Sequence, residues 1–105
     1  MPKQFDVFVN PLRDRAAYPL LVVLQSPFAD LANTRVVAPA VPVRQGTRAG
    51  GILMPRFALD GSEYSLHIFQ LTSVQVTALK RRVGNIAEVR DAITRALDHL
   101  FHDNA

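Results

Sequence analysis

The spacing of apolar residues predicts that residues 1–80 are rich in β-strands. Apolar and polar residues alternate over residues 4–9, and the apolar set on one face is Phe5, Val7 and Val9. Residues 18–25 are almost continuously apolar, which is typical of a central strand that is covered on both faces. Because residues 11–17 are too many for a tight turn, we expect a wider hairpin loop between these two strands.

Prolines and glycines divide the next part of the chain. Short strands are predicted over residues 35–38 and 41–43, and the prolines around them favour sheet edges, strand ends or bulges. Residues 44–51 contain three glycines and no large apolar residue. This composition predicts a mobile loop.

A β-hairpin is predicted around Asp60-Gly61, which lies between the apolar segments 53–59 and 63–68. Glycine tolerates the positive φ of a type I′ turn, so this dipeptide is a strong hairpin signal. The hairpin would bring together Phe57, Leu59, Tyr64 and Leu66. A last strand is predicted over residues 74–79.

The apolar period changes from that of a strand to that of a helix after Gly84. Asn85 and Glu88 have the spacing of a capping box, in which each side chain accepts a hydrogen bond from a free backbone N–H. The apolar residues that follow at helical spacing are Ile86, Val89, Ile93, Leu97, Leu100 and Phe101. A β-rich segment followed by this amphipathic helix predicts an α+β fold.

Composition narrows the class of protein. The 105 residues are 49% hydrophobic and 20% charged, which predicts one folded domain over residues 1–105. Cysteine is absent, which excludes disulfides, thiolate metal sites and a cysteine nucleophile. The net charge of +3 permits an acidic partner. No signal-peptide pattern is visible and the longest apolar run is too short to span a bilayer, so a cytoplasmic location is expected.

The candidate catalytic and metal-binding residues form no strong motif. His67 is predicted to be a surface strand histidine, and no serine lies in a G-x-S-x-G elbow. His99, His102 and Asp103 have the spacing of a shared helix face, but histidines near a helix C-terminus also interact favourably with its dipole. The basic run 80–82 is predicted to be a solvated turn. We therefore expect no catalytic residue, no metal and no cofactor.

Several segments taken together resemble the CcdB toxins of type II toxin–antitoxin systems. The similar segments are QFDVFVN, Tyr18-Pro19 leading into LLVVLQS, TRVVAP, LMPRFALDGSEYSLHIFQL, TSVQVTAL and IAEVRDAITRALDHLF. Their order and spacing agree with the family over nearly the whole chain.

The resemblance implies an SH3-like antiparallel barrel or sheet of the CcdB/MazF type, with a small accessory sheet and a C-terminal helix. It also implies a homodimer, a CcdA-like antitoxin partner, and binding to the A subunit of DNA gyrase in a way that traps the cleaved DNA complex. The toxin itself performs no chemistry in this family. Neither direct nucleic-acid binding nor a membrane partner is implied.

The resemblance places the gyrase-binding residues at the end of the chain. The matching positions are Asp98, Phe101, His102, Asp103 and Asn104. The typical family ending is phenylalanine followed by Trp-Gly-Ile, so Phe101 agrees, His102 replaces the tryptophan, Asp103 replaces the glycine, and Asp98 stands for an asparagine.

Two alternatives stay open at this point. One is an antitoxin-binding homologue with weak or lost gyrase poisoning, because the ending departs from the family pattern. The other is a MazF-like endoribonuclease, for which Arg13, Arg15 and Arg44 are the available cations.

Overall fold

The computed structural model describes residues 1–44 and 50–102, which form a curled antiparallel sheet and one C-terminal helix. The strands are β1 (Asp6–Val9), β2 (Leu20–Val23), β3 (Thr34–Pro42), β4 (Arg56–Leu59), β5 (Ser62–Leu66), β6 (Thr72–Gln75) and β7 (Arg82–Asn85), and the helix is α1 (Arg90–Phe101). The strand order is β4-β5-β3-β2-β1-β7, and β6 also pairs with β3. The sheet curls into a half-barrel, which confirms the predicted α+β fold.

The predicted central strand and the loop before it are confirmed. Leu20 and Val22 of β2 pack into the larger apolar cluster, while Leu21 and Val23 pack into a second cluster on the opposite face. The β1–β2 loop contains a 3₁₀ turn, Arg13–Ala16, rather than a tight turn. The core therefore lies on both sides of β2.

The prediction of two short strands separated by prolines is wrong, because β3 is one continuous strand through Pro39. β3 pairs with β6 over one half and with β5 over the other, and Pro39 lies between these two partners. Its carbonyl oxygen accepts a hydrogen bond from the backbone N–H of His67 at 2.9 Å. Since the N–H and C=O of a strand residue point the same way, the missing proline donor also faces His67, whose own carbonyl oxygen accepts a hydrogen bond from the Gln70 N–H at 3.0 Å.

The hairpin between β4 and β5 is confirmed. Asp60 has a φ of 51° and Gly61 has a φ of 80°, as a type I′ turn requires. Phe57 pairs with Tyr64 across the hairpin, and their rings stack with centroids 5.5 Å apart.

The predicted last strand over residues 74–79 is wrong in its bounds. β6 ends at Gln75, and the 3₁₀ turn Val76–Ala78 leads to a further strand, β7, which contains Gly84. Gly84 pairs with Val7 of β1. A Cβ at residue 84 would lie 2.5 Å from Leu59 Cδ1, so glycine is used here for close packing within a strand rather than as a strand breaker.

The predicted capping box does not form. The Asn85 side chain accepts a hydrogen bond from the Ala87 N–H at 2.9 Å, which starts the 3₁₀ turn Ala87–Val89. No side chain caps α1 itself, and Glu88 is exposed. The first turn is therefore 3₁₀, and the α-helix begins at Arg90.

Most of the predicted mobile loop, at residues 45–49, lies outside the described residues. Within residues 1–44 and 50–102, no helix is long and apolar enough to cross a membrane.

Candidate functional site

α1 is fixed to the half-barrel by one apolar face. Ile93 and Ala96 are fully buried in the larger cluster, and Leu97 and Leu100 pack against that cluster while half-buried. The helix also contacts the 3₁₀ turns Gly51–Leu53 and Ile68–Gln70. Because these apolar residues recur at helical spacing, they share one face of α1, and the polar face is exposed to solvent. Packing of the apolar face against the sheet and the two turns holds the helix in place.

The tip of this helix carries an exposed aromatic ring. Phe101 is the last helical residue and is 65% exposed. His102 leaves the helix in an extended conformation, with φ −136° and ψ 124°, and its N–H donates a hydrogen bond to the Asp98 carbonyl oxygen at 2.8 Å. The structure thus brings Asp98, Phe101 and His102 together at one end of α1.

The outer face of α1 forms a shallow cleft of about 390 Å³ between exposed polar side chains. It is lined by Asp91, Thr94, Arg95, Asp98 and His99. His99 Nδ1 lies 2.9 Å from the Arg95 carbonyl oxygen. Since a carbonyl oxygen only accepts, this contact requires a proton on Nδ1.

The other residues matched to the family ending cannot be placed with these three. Asp103 and Asn104 lie outside the described residues. Of the candidate metal site formed by His99, His102 and Asp103, the structure therefore describes only the two histidines, and Asp103 is supported by the sequence alone. Among the residues that the structure describes, no group of three or more metal-binding side chains comes together.

His67 is not the surface strand residue that the sequence predicts. It follows the end of β5 and is half-buried, with its ring edge-on to Tyr18 at 5.8 Å and stacked on Phe69 at 5.3 Å. Its Nδ1 lies 2.9 Å from Gln70 Oε1, and its buried Nε2 has no hydrogen-bond partner in the described part of the chain. Phe69 is two residues away on the next 3₁₀ turn, but Tyr18 comes from a distant segment, so local alternation could not reveal the whole cluster.

The basic run also differs from a simple turn, because Arg82 belongs to β7. Arg82 Nε donates a hydrogen bond to the buried Asp6 carboxylate at 2.9 Å. Burial raises the pKa of Asp6, but hydrogen bonds from Asn85, the Lys3 backbone N–H and Arg82 outweigh it, so the pKa lies below its ordinary value. Sequence spacing showed no sign of this pair, because its members are far apart along the chain.

The cations named for a ribonuclease lie in separate segments of the chain. Arg13 and Arg15 are exposed on the 3₁₀ turn after β1, and Arg44 is exposed just beyond β3. Arg13 and Arg15 form no ion pair with another described residue. The ribonuclease hypothesis stays a prediction.

A comparison with family models decides which family this fold and helix belong to. The model described as CcdB protein matches residues 4–103, which include all seven strands and α1. The chain belongs to the CcdB family. This confirms the resemblance, and CcdB membership indicates the toxin of a toxin–antitoxin system. A comparison with curated proteins gave no match.

Proposed function

We propose that this CcdB-family chain binds the A subunit of DNA gyrase and stabilises the complex in which gyrase has cut its DNA. The observation that carries the proposal is the exposed Phe101 at the end of a firmly packed helix, in a chain matched to the family over residues 4–103. The proposed contact comprises Asp98, Phe101, His102, Asp103 and Asn104. The bond cleavage belongs to gyrase, and the toxin acts by binding.

The chemistry of the tip suits a partner with an apolar pocket beside a cation. Burying an exposed phenylalanine ring contributes roughly 1.5–3 kcal/mol. The Asp98 carboxylate lies one helical turn before His102 and is exposed, so it is available to an arginine or lysine of the partner. The His102 ring can stack on an arginine guanidinium, with less area than an indole.

The proposal includes the assembly implied by the family. The chain is a single domain that forms a homodimer in the cytoplasm and binds a CcdA-like antitoxin. CcdB membership and the resemblance of the segments quoted above support these partners.

The experiment induces the chain in bacteria and traps cleaved DNA on gyrase with detergent. Wild type is expected to raise the amount of cleaved complex, and Phe101→Ala is expected to lower it about tenfold, because one buried aromatic contact is lost. Phe69→Ala is the matched control, since Phe69 is also an exposed aromatic residue, at 47%. Soluble wild-type protein without cleaved complexes would contradict the proposal.

A second candidate function is antitoxin binding with weakened poisoning. His102 favours it, because the family carries tryptophan at that position and histidine offers less stacking area. Replacing His102, Asp103 and Asn104 by Trp, Gly and Ile, with a stop codon afterwards, should then raise toxicity. Wild type as toxic as this variant excludes the candidate.

The ribonuclease alternative is tested separately with purified protein and labelled RNA. Cleavage that is lost in Arg13→Ala or Arg15→Ala would favour it over gyrase binding. Intact RNA at high protein concentration would exclude it.

A further inference from the structure

Half of the twelve basic residues of this chain belong to the β1–β7 edge of the sheet and the turn after β1. All six are exposed, and together they are called the basic surface: Lys3, Arg13, Arg15, Lys80, Arg81 and Arg82. Only two of the nine acidic residues, Asp6 and Asp14, belong to the same segments. The basic surface therefore carries a net charge of +4, while the rest of the chain, with six basic and seven acidic residues, carries −1.

Backbone hydrogen bonds bring these segments of the chain together along β1. The Lys3 carbonyl oxygen accepts a hydrogen bond from the Asp6 N–H at 3.0 Å, and the Arg81 carbonyl oxygen accepts one from the Val9 N–H at 2.9 Å. Lys3 and Arg81 therefore lie beside opposite ends of a strand that spans about 13 Å. The 3₁₀ turn Arg13–Ala16 follows the Val9 end of the same strand. The cations are thus spread along one edge rather than gathered at one point.

The two carboxylates do not neutralise this charge towards solvent. Asp6 is only 3% exposed and accepts hydrogen bonds from Arg82 and Asn85, whereas Asp14 accepts one from the Asn10 amide. Arg82 uses only its Nε for this contact, and its side chain is 55% exposed. The other five cations form no ion pair with any residue in the described part of the chain. The basic surface therefore presents unpaired positive charge to an anionic partner.

We propose that the basic surface binds the phosphate backbone of duplex DNA without sequence preference. Exposed lysines and arginines neutralise phosphates and release their counterions, which gives affinity for any sequence. Single strands are bound in addition by stacking of their bases on aromatic rings. The exposed phenylalanines among the described residues are Phe28, Phe69 and Phe101, and none belongs to the basic surface. Charge without stacking rings therefore favours a duplex. The choice of DNA over RNA rests on the proposed function, which places the chain beside the DNA that gyrase holds.

The test measures fluorescence anisotropy of the purified chain with a labelled DNA duplex over a range of salt concentrations. Duplex affinity should fall steeply as salt rises, with a Kd of roughly 10⁻⁴–10⁻⁶ M at physiological salt. Lys80→Met, Arg81→Met removes two cations, so the slope of log affinity against log salt should decrease in magnitude by about two. Arg95→Met is the matched control, because Arg95 is an exposed cation on the outer face of α1, and it should leave the slope unchanged.

Three further probes at the same salt concentration are a single DNA strand, an RNA duplex and a glutamate-rich peptide, and each should bind more weakly than the DNA duplex. Tighter binding of any of them, no binding of the duplex at low salt, or an equal change of slope in Arg95→Met would overturn the inference.

The double variant is compared with the wild type by circular dichroism, and unchanged spectra show that the lost binding is not unfolding. Phe101→Ala, at the tip of α1, should leave the duplex affinity unchanged. Because this assay contains no gyrase, duplex binding can succeed where gyrase poisoning fails, and the reverse. Failure of this proposal is therefore distinguishable from failure of the proposed function.

Discussion

A methyl carbon of Leu59 occupies the space in which a side chain on Gly84 would begin. The distance from Leu59 Cδ1 to a Cβ built on Gly84 is 2.5 Å, which is closer than two carbon atoms approach without a shift. Leu59 ends β4 and Gly84 lies in β7, the two strands at opposite ends of the strand order. The curl of the sheet therefore brings its two end strands close together at this point.

Gly84→Ala should therefore lower the free energy of unfolding by about 1–3 kcal/mol, because the added methyl group meets Leu59. Urea denaturation measures the loss. In a Leu59→Ala background the same substitution should be tolerated better, since the clashing carbon is gone. If Gly84→Ala lowers the free energy of unfolding equally in both backgrounds, contact with Leu59 is not what excludes a side chain at residue 84.

The Asp6–Arg82 pair predicts how stability depends on pH. The pKa of Asp6 is lowered in the folded chain, so its contribution is present at neutral pH and is lost as the pH falls below the ordinary aspartate value of about 3.9. Arg82→Met removes one of the interactions that lower this pKa, so the variant should lose less stability than the wild type as the pH falls through the acidic range. Urea denaturation across the acidic range measures it, with Arg81→Met as the neighbouring control. If both variants give the same pH profile, the pair does not stabilise the fold in this way.

The Asp60-Gly61 turn should tolerate substitution at one position and not at the other. Gly61 has a φ of 80°, so Gly61→Ala should cost about 1–2 kcal/mol through left-handed backbone strain. Asp60→Asn should be nearly neutral, because asparagine also adopts positive φ readily. Thermal unfolding compares the two variants. A Tm for Gly61→Ala equal to that of Asp60→Asn would contradict the type I′ turn.

Arg35 and Arg56 form ion pairs of the same length that should differ in energy. Arg35 Nε lies 3.3 Å from Asp30 Oδ1 with the arginine side chain 3% exposed, and Arg56 lies 3.3 Å from Glu63 with 33% exposed. Arg35 also donates hydrogen bonds to two backbone carbonyls. Arg35→Met should lower the free energy of unfolding by about 3 kcal/mol, whereas Arg56→Met should lower it by less than about 1 kcal/mol. If urea denaturation gives similar losses of stability for the two variants, burial does not determine how much these ion pairs contribute.

Local patterns predicted the parts of the fold that depend on neighbouring residues. The buried strand β2, the Asp60-Gly61 hairpin and the apolar face of α1 all follow from periods of two or 3.6 residues and from turn chemistry. The strand through Gly84 was missed, because only the distant Leu59 explains a glycine there. β3 continues through Pro39 because this residue lies between the segments that pair with β5 and β6. The sequence does not show this arrangement.

The candidate site was predictable to the extent that it lies on one helix. Asp98 and Phe101 are spaced by about one turn, so their meeting at the tip of α1 follows from helical geometry. The His67 cluster and the Asp6–Arg82 pair were not predictable, because each joins residues that only the folded sheet brings together. Phe5 is similar: its backbone, with a φ of 69°, forms hydrogen bonds with Val23 and Ile86, which lie in two distant segments of the chain.

The most direct test of the proposed function is the affinity of the purified chain for the purified A subunit of DNA gyrase. Calorimetric titration should show binding by the wild type, binding weakened about tenfold or more by Phe101→Ala, and unchanged binding by Phe69→Ala. Absence of wild-type binding, or equal binding by the two variants, would contradict a gyrase contact at the tip of α1.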